Sequence, residues 1–235
     1  MTATEPATPR PSPHAAPSSA PHPSPNAAPN SGPTRIFLLD DHEIVRRGIA
    51  DLLSFEDDMI VVGEAGTIAE ALEVVPACRP DVALLDARLP DGSGLELCRD
   101  IRSANPSVRC VMLTSYDDSE AVFAAVLAGA SGYLLKQIGA MNLAQSLRDV
   151  AAGKPLLDPR FVQRVLHTLR AGPGIDAPLG ALTHRETEML DLVADGFTNR
   201  EIAEKTGLSE RSVKAYVSGL ISKFVSPSLS PLLPH

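Results

Sequence analysis

A (βα)5 α/β fold, a doubly wound parallel sheet followed by a small all-α domain, is predicted by three observations. Five short apolar runs recur between residues 36 and 135, the apolar residues between them fall at helical spacing, and from Leu182 onward the pattern is helical only. Strand-sized runs nearly free of polar residues suit parallel strands covered on both faces. Strand and helix alternating with short links then give an open sheet with right-handed crossovers.

The runs are Ile36-Phe37-Leu38-Leu39, Ile60-Val61-Val62, Val82-Ala83-Leu84-Leu85, Val108 through Leu113 and Tyr133-Leu134-Leu135. The helical intervals carry Val45, Ile49, Leu52 and Leu53, then Ile68, Leu72 and Val75, then Leu95, Leu97 and Ile101, then Val122, Val126 and Leu127, and last Leu143, Leu147 and Val150. Gly153-Lys154-Pro155 marks the end of this unit, residues 34–153. Residues 154–178 read as a linker with one short helix around Phe161 to Leu169. In residues 179–225, Thr183 and Glu186 form a capping-box start and Met189, Leu190 and Val193 an apolar stripe that Gly196 stops. A short helix over Thr198 to Thr206, a turn at Gly207-Leu208-Ser209 and a third helix over Glu210 to Phe224 follow; Val213, Val217, Leu220 and Phe224 give the third helix one buried face.

The ends differ from this core. Ten of the 21 prolines lie in residues 1–33, which hold one acid, one strong base and no large aliphatic residue beyond Met1. Nothing there builds a core, so an extended, disordered tail is expected. No stretch reaches the roughly 18 apolar residues of a membrane span, and the N-terminus lacks the basic start and apolar block of a secretory signal. Three cysteines without metal-ligand spacing suit a reducing cytoplasm. The net charge of -8 argues against a general nucleic-acid coat, but it is unevenly spread. Residues 34–153 carry 19 acids against 10 strong bases, whereas residues 179–225 carry 7 against 6.

Ligands of doubly wound sheets bind beyond the carboxyl ends of the strands, where strand order reverses. Asp40 and Asp41 follow the first strand and Asp86 ends the third, so a sheet order of 2-1-3-4-5 makes the three carboxylates converge. Converging carboxylates repel unless a cation sits among them, and hard oxygen ligands suit Mg²⁺. Thr114 and Lys136 end the fourth and fifth strands and add a hydroxyl and an ammonium for phosphoryl oxygens. The set is suited to taking a phosphoryl group onto Asp86. A phosphatase of the haloacid-dehalogenase kind needs a second aspartate two residues after the nucleophile, but Ala87 and Arg88 follow Asp86. Self-dephosphorylation is therefore expected, without turnover of an external substrate. The glycines of Pro90-Asp91-Gly92-Ser93-Gly94 shape a loop over the pocket, because no nucleotide-binding glycine pattern occurs. The histidines, His42 included, are scattered and receive no role.

The segments IFLLDDHEIVRRGI, DVALLDARLPDGSGLELCRDIR, VMLTSY and ASGYLLK resemble the receiver domain of two-component response regulators. LTHRETEMLDLVADGFTNREIAEKTGLSERSVKAYV resembles the LuxR-type helix-turn-helix of the NarL/FixJ branch, and from about Thr34 to Ser222 the style is that of DevR/DosR-type regulators. The resemblance implies a cytoplasmic transcriptional regulator phosphorylated on Asp86 by a sensor histidine kinase, with Mg²⁺ held by Asp40, Asp41 and Asp86. It implies Thr114 and Lys136 as switch residues, with Tyr133 as the aromatic that reports phosphorylation. A buried strand aromatic is the plainer reading of Tyr133. Double-stranded promoter DNA and, on phosphorylation, a second copy of the chain are the implied partners.

A helix-turn-helix lays its second helix in the major groove. The last helix presents Arg211, Lys214, Ala215, Ser218 and Ser222 opposite its apolar stripe. Arg211 and Lys214 can contact phosphate or guanine, and Ser218 lies on the same face. Thr198, Asn199 and Ser209 are candidate phosphate contacts that also suit helix capping. Ala215 and Gly219 stand where DevR-like sequences usually carry Asn and Arg. After Phe224 the chain reads VSPSLSPLLPH, whose three prolines are expected to exclude the family's fourth helix and leave residues 226–235 an irregular tail. That ending suggests a truncated domain and an alternative role, a DNA-binding-impaired phosphate sink or a partner that poisons a full-length regulator by dimerising with it.

Overall fold

The computed structural model describes residues 32–115, 119–154, 156–157 and 182–225; the disordered N-terminal tail, the linker helix around Phe161 to Leu169 and the irregular C-terminal tail expected from the sequence all lie outside them. The first unit runs β1 (Thr34–Leu39), α1 (Glu43–Ser54), β2 (Met59–Ala65), α2 (Ile68–Cys78), β3 (Val82–Asp86), β4 (Arg88–Leu89), β5 (Gly92–Ser93), α3 (Gly94–Ala104), β6 (Arg109–Thr114), α4 (Ser119–Ala128), β7 (Gly132–Leu135) and α5 (Ala140–Ala151). The second contains α6 (His184–Ala194), α7 (Asn199–Thr206) and α8 (Glu210–Val225).

The five long strands are parallel and ordered β2-β1-β3-β6-β7, the reversal of direction that the convergence of carboxylates requires. Because side chains alternate along a strand, the sheet feeds two cores. Ile36, Leu38, Val82, Leu84, Val111 and Leu113 pack with Leu53 of α1 and with Leu143, Leu147 and Val150 of α5. Phe37, Leu39, Ala83, Leu85, Cys110 and Met112 pack on the other face against α2, α3 and α4. β2 extends three residues past the predicted run, through Gly63, Glu64 and Ala65. It is an edge strand, and of the added residues Glu64 is exposed while Ala65 is buried in the core.

The predicted face of α2 is corrected in one residue. Ala71 and Val75 are buried, whereas Leu72 is half exposed at the rim of a cavity of about 280 Å³ between α2 and α3. The short antiparallel pair β4 and β5 was not anticipated; it forms the loop beyond Asp86. Asp91 at its turn accepts the backbone N–H groups of Ile68 and Ala69 at 3.1 Å each, capping α2 from another loop. Gly94 starts α3 against the end of β3, where a Cβ would lie 1.8 Å from the Asp86 carbonyl oxygen. Only glycine permits that approach.

In the second unit the sequence signals hold closely. Thr183 and Glu186 form a reciprocal capping box, as do Thr198 and Glu201, and Gly207 ends α7 with φ 68°. Val213, Val217 and Leu220 of α8 are buried as expected, joined by Ile221. These residues belong to the same apolar cluster as the α2, α3 and α4 face of the sheet, so the two units share one core.

Candidate functional site

The register brings the pocket together. Leu39 pairs with Leu85, so Asp40 and Asp86 each leave their strands at the same level; Thr114 pairs with Leu135, which sets Lys136 one step beyond. Asp40 is 2% exposed and Asp86 5%. Between them lies the Lys136 ammonium, 2.6 Å from Asp40 Oδ2 and 2.8 Å from Asp86 Oδ2. Burial raises the Asp86 pKa; the hydrogen bond and charge of Lys136 oppose this, and Asp40 adds to it. Burial alone would lower Lys136, but its hydrogen bonds to Asp40 and Asp86 outweigh that and raise it.

Asp41 stands at the open side, with its Oδ1 2.7 Å from His42 Nδ1. Arg46 of α1 donates to the Asp40 carbonyl at 2.6 Å and so fastens the main chain behind the carboxylate. Thr114 is buried at the end of β6, and Tyr133 is half-buried against the core shared with α2, α3 and α4. The structure thus gathers Asp40, Asp41, Asp86, Thr114 and Lys136 at one rim, with Tyr133 on β7, the strand that Lys136 follows. Chemically the rim offers a carboxylate nucleophile, two further carboxylates for a hard cation, and a hydroxyl and an ammonium for an anion.

The predicted DNA-reading residues sit differently. α8 and α7 pack against α3 and α4, which places part of that face on the first unit. Lys214 pairs with Asp100 of α3. Asn199 is 2% exposed: its backbone N–H donates to Ser103 Oγ and its side-chain oxygen accepts from Arg99. Thr198 is buried too, its hydroxyl engaged in the capping box. Arg211 is exposed, Ser218 borders the seam, and Ser209 Oγ lies 2.8 Å from Ser212 Oγ while accepting the Ser212 backbone N–H. In this arrangement Arg211 faces solvent, whereas Lys214, Thr198 and Asn199 are held at or beside the seam.

Arg99 organises that seam and was missed from the sequence. It is 6% exposed and donates to Asn199 Oδ1 at 2.9 Å, to the Leu127 carbonyl at 2.7 Å and to the Phe197 carbonyl at 3.3 Å. Burial pulls its pKa down to about 10. The signal available was a lone charge within the apolar face of α3, four residues after Leu95 and beside Cys98.

Comparison with known proteins agrees with this geometry. A response regulator receiver domain family matches residues 36–148, and the family of bacterial regulatory proteins, luxR family, matches residues 180–233. The DNA-binding transcriptional activator DevR/DosR of Mycobacterium tuberculosis is 51% identical over 80% of this chain and 87% of its own. The chain belongs to the NarL-family response regulators. The oxygen regulatory protein NreC of Staphylococcus carnosus is 36% identical over 86% of this chain and 95% of its own. Among solved structures, the receiver domain of the response regulator NarL from Mycobacterium tuberculosis is 35% identical with a TM-score of 0.51, covering 52% of this chain and 99% of that one. A structure of the Salmonella typhimurium response regulator RcsB is 28% identical with a TM-score of 0.51, covering 82% and 92%.

As a response regulator the chain joins a receiver to a LuxR-type DNA-binding domain. The alternative of a truncated phosphate sink finds no support, since the luxR-family match continues through residues 226–233. Among the described residues no helix is long and apolar enough to cross a membrane.

Proposed function

We propose that this response regulator accepts a phosphoryl group on Asp86 from a sensor histidine kinase and couples it to promoter binding through the α3 and α4 seam. The observation that carries the reading is the ammonium of Lys136 lying between Asp40 and Asp86, a cation already drawn into the place where negative charge gathers. The donor set of Asp40, Asp41 and Asp86, all carboxylates, fits Mg²⁺. When bound, the ion offsets the charge of the incoming phosphoryl oxygens. An Asp86 oxygen attacks phosphorus, the P–N bond of the kinase phosphohistidine breaks, and its electron pair returns to the imidazole, which takes up a proton. Lys136 and Thr114 bind the transferred oxygens, and Tyr133 reports the rearranged rim. The aspartyl phosphate is later hydrolysed on this protein, with no external substrate turned over.

Residues 34–153 act as the phosphoacceptor unit and residues 179–225 as the DNA-binding unit of a cytoplasmic protein. Thr114 immediately precedes the segment that leads into α4, and α4 supplies the Leu127 carbonyl that Arg99 holds, so a change at the rim bears on the seam. Opening the seam frees Lys214 from Asp100 and Asn199 from Arg99 and Ser103, and these residues join Ser218, Thr198, Ser209 and Arg211 on double-stranded DNA as a homodimer. Transcriptional activation is the sense inferred from the DevR/DosR relative.

Phosphotransfer to the full chain tests the first half: the wild type labels and Asp86→Asn does not, and equal labelling of both overturns it. Fluorescence anisotropy on a promoter fragment tests the second. A phosphoryl donor should tighten binding by on the order of tenfold or more. Unchanged affinity would sever the pocket from the DNA-binding unit.

A further inference from the structure

His42 follows the two carboxylates of Asp40-Asp41 and occupies the N-cap position of α1, with φ -86° and ψ 102°. A Ser, Thr, Asp or Asn at that position turns its side-chain oxygen onto the first amides of the helix. The His42 ring makes no such hydrogen bond. It turns instead into the pocket, with Nδ1 2.7 Å from Asp41 Oδ1 and 3.2 Å from Asp40 Oδ1. One donor atom each from Asp40, Asp41, His42 and Asp86 lie within 4.8 Å of one another. An octahedral ion with bonds of about 2.1 Å holds adjacent donors roughly 3.0 Å apart and opposite ones roughly 4.2 Å apart. Both His42 distances are those of adjacent donors.

We propose that His42 is a fourth protein ligand of the divalent ion, and that its imidazole turns an all-oxygen Mg²⁺ pocket into a mixed nitrogen and oxygen site favouring first-row transition ions. The inference rests on the pocket being a metal site, as proposed above. Asp40 separates the two cations sterically: its Oδ1 faces His42 and its Oδ2 faces Lys136, so Lys136 keeps its contacts. The ring is 66% exposed, so exchanging a carboxylate contact for an ion needs no opening of the core. Oxygen ligands rank Mg²⁺ and Mn²⁺ by size and charge. A nitrogen ligand adds affinity in the order Mn²⁺, Fe²⁺, Co²⁺, Ni²⁺. The plainer role, an imidazole hydrogen-bonded to two carboxylates, predicts no nitrogen bound to the ion and no such bias.

Pulsed electron paramagnetic resonance of the full chain with Mn²⁺ separates these readings, because a coordinated imidazole imposes ¹⁴N modulation on the Mn²⁺ echo. His42→Ser keeps a good N-cap residue and removes the ring. The expected result is ¹⁴N modulation in the wild type and its loss in His42→Ser with Mn²⁺ still bound. Calorimetry should then show Co²⁺ affinity falling by on the order of tenfold or more in His42→Ser, with Mg²⁺ affinity changing by less than about twofold. Bound Mn²⁺ without ¹⁴N modulation overturns the role of His42 and leaves the pocket a metal site. Modulation that persists in His42→Ser assigns the nitrogen to another residue and also overturns it. Mn²⁺ that stays wholly free in solution overturns both this inference and the metal reading of the pocket.

Discussion

Two cations drawn out of solvent, the partly buried Lys136 of the receiver pocket and the buried Arg99 of the seam between domains, answer burial in opposite ways. Lys136 meets two carboxylates, and its proton affinity rises. Arg99 donates to neutral oxygens, those of the Asn199 side chain and the carbonyls of Leu127 and Phe197, and desolvation lowers its proton affinity. A charge matched by charges is held firmly but can share its place with another cation. A charge matched by dipoles alone gives a specific join that gains little over solvation by water. The pocket is therefore suited to capture and the seam to release.

The strongest way to break this comparison is to remove the pocket cation. Lys136→Met leaves Asp40 and Asp86 facing each other, and the rate of labelling from a small phosphoryl donor should fall on the order of 100-fold. The Asp86 carboxyl should titrate still higher by NMR, because Lys136 is the main group opposing its burial.

Next is Arg99→Ala, which leaves two buried oxygens and one partly buried oxygen without their donor. The docked domain should loosen by about 2 kcal/mol, or roughly 30-fold faster amide exchange across α7. Arg99→Met, which fills the same space without charge, should loosen it less. Equal exchange in all three proteins would show that the seam rests on apolar packing alone.

A smaller effect is expected from Asp86→Asn on stability. The folded pKa of Asp86 is raised, so its ionised form disfavours folding. That cost is absent below the unfolded carboxylate pKa of about 3.9 and is complete once pH exceeds the folded pKa. Asp86→Asn should therefore melt higher than wild type near neutral pH, and the gap should close as pH falls through the carboxylate range. A gap that widens toward acid would mean that Lys136 dominates Asp86 instead.

The smallest effect belongs to Gly219→Ala. Gly219 lies exposed within α8 and an added Cβ meets nothing within 4 Å. Thermal unfolding should show about 1 kcal/mol of added stability, with labelling of Asp86 unchanged.

The pocket was legible in the sequence because strand ends announce themselves: an apolar run that stops at Asp40 or Asp86 places that carboxylate by register alone. The three short helices were legible through Thr183, Glu186, Gly196 and Gly207, whose backbone duties are local. Leu72 misled because an i+4 apolar spacing from Ile68 competes with Ala71 at i+3, and the smaller residue lies closer to the sheet. Arg99 escaped for a different reason. Its side-chain partner Asn199 lies 100 residues away, and no periodic pattern carries a contact between domains. Lys214 stands opposite the apolar stripe of α8, yet nothing local reveals that Asp100 holds it.

The shared core also sets how the molecule melts. Where one apolar cluster continues from α4 into α8, neither domain can lose its packing without exposing the other, so the docked protein is expected to unfold in a single cooperative transition. Separating the domains divides that cluster and with it the cooperativity. Two heat-absorption peaks in place of one would then register undocking directly, with no DNA present.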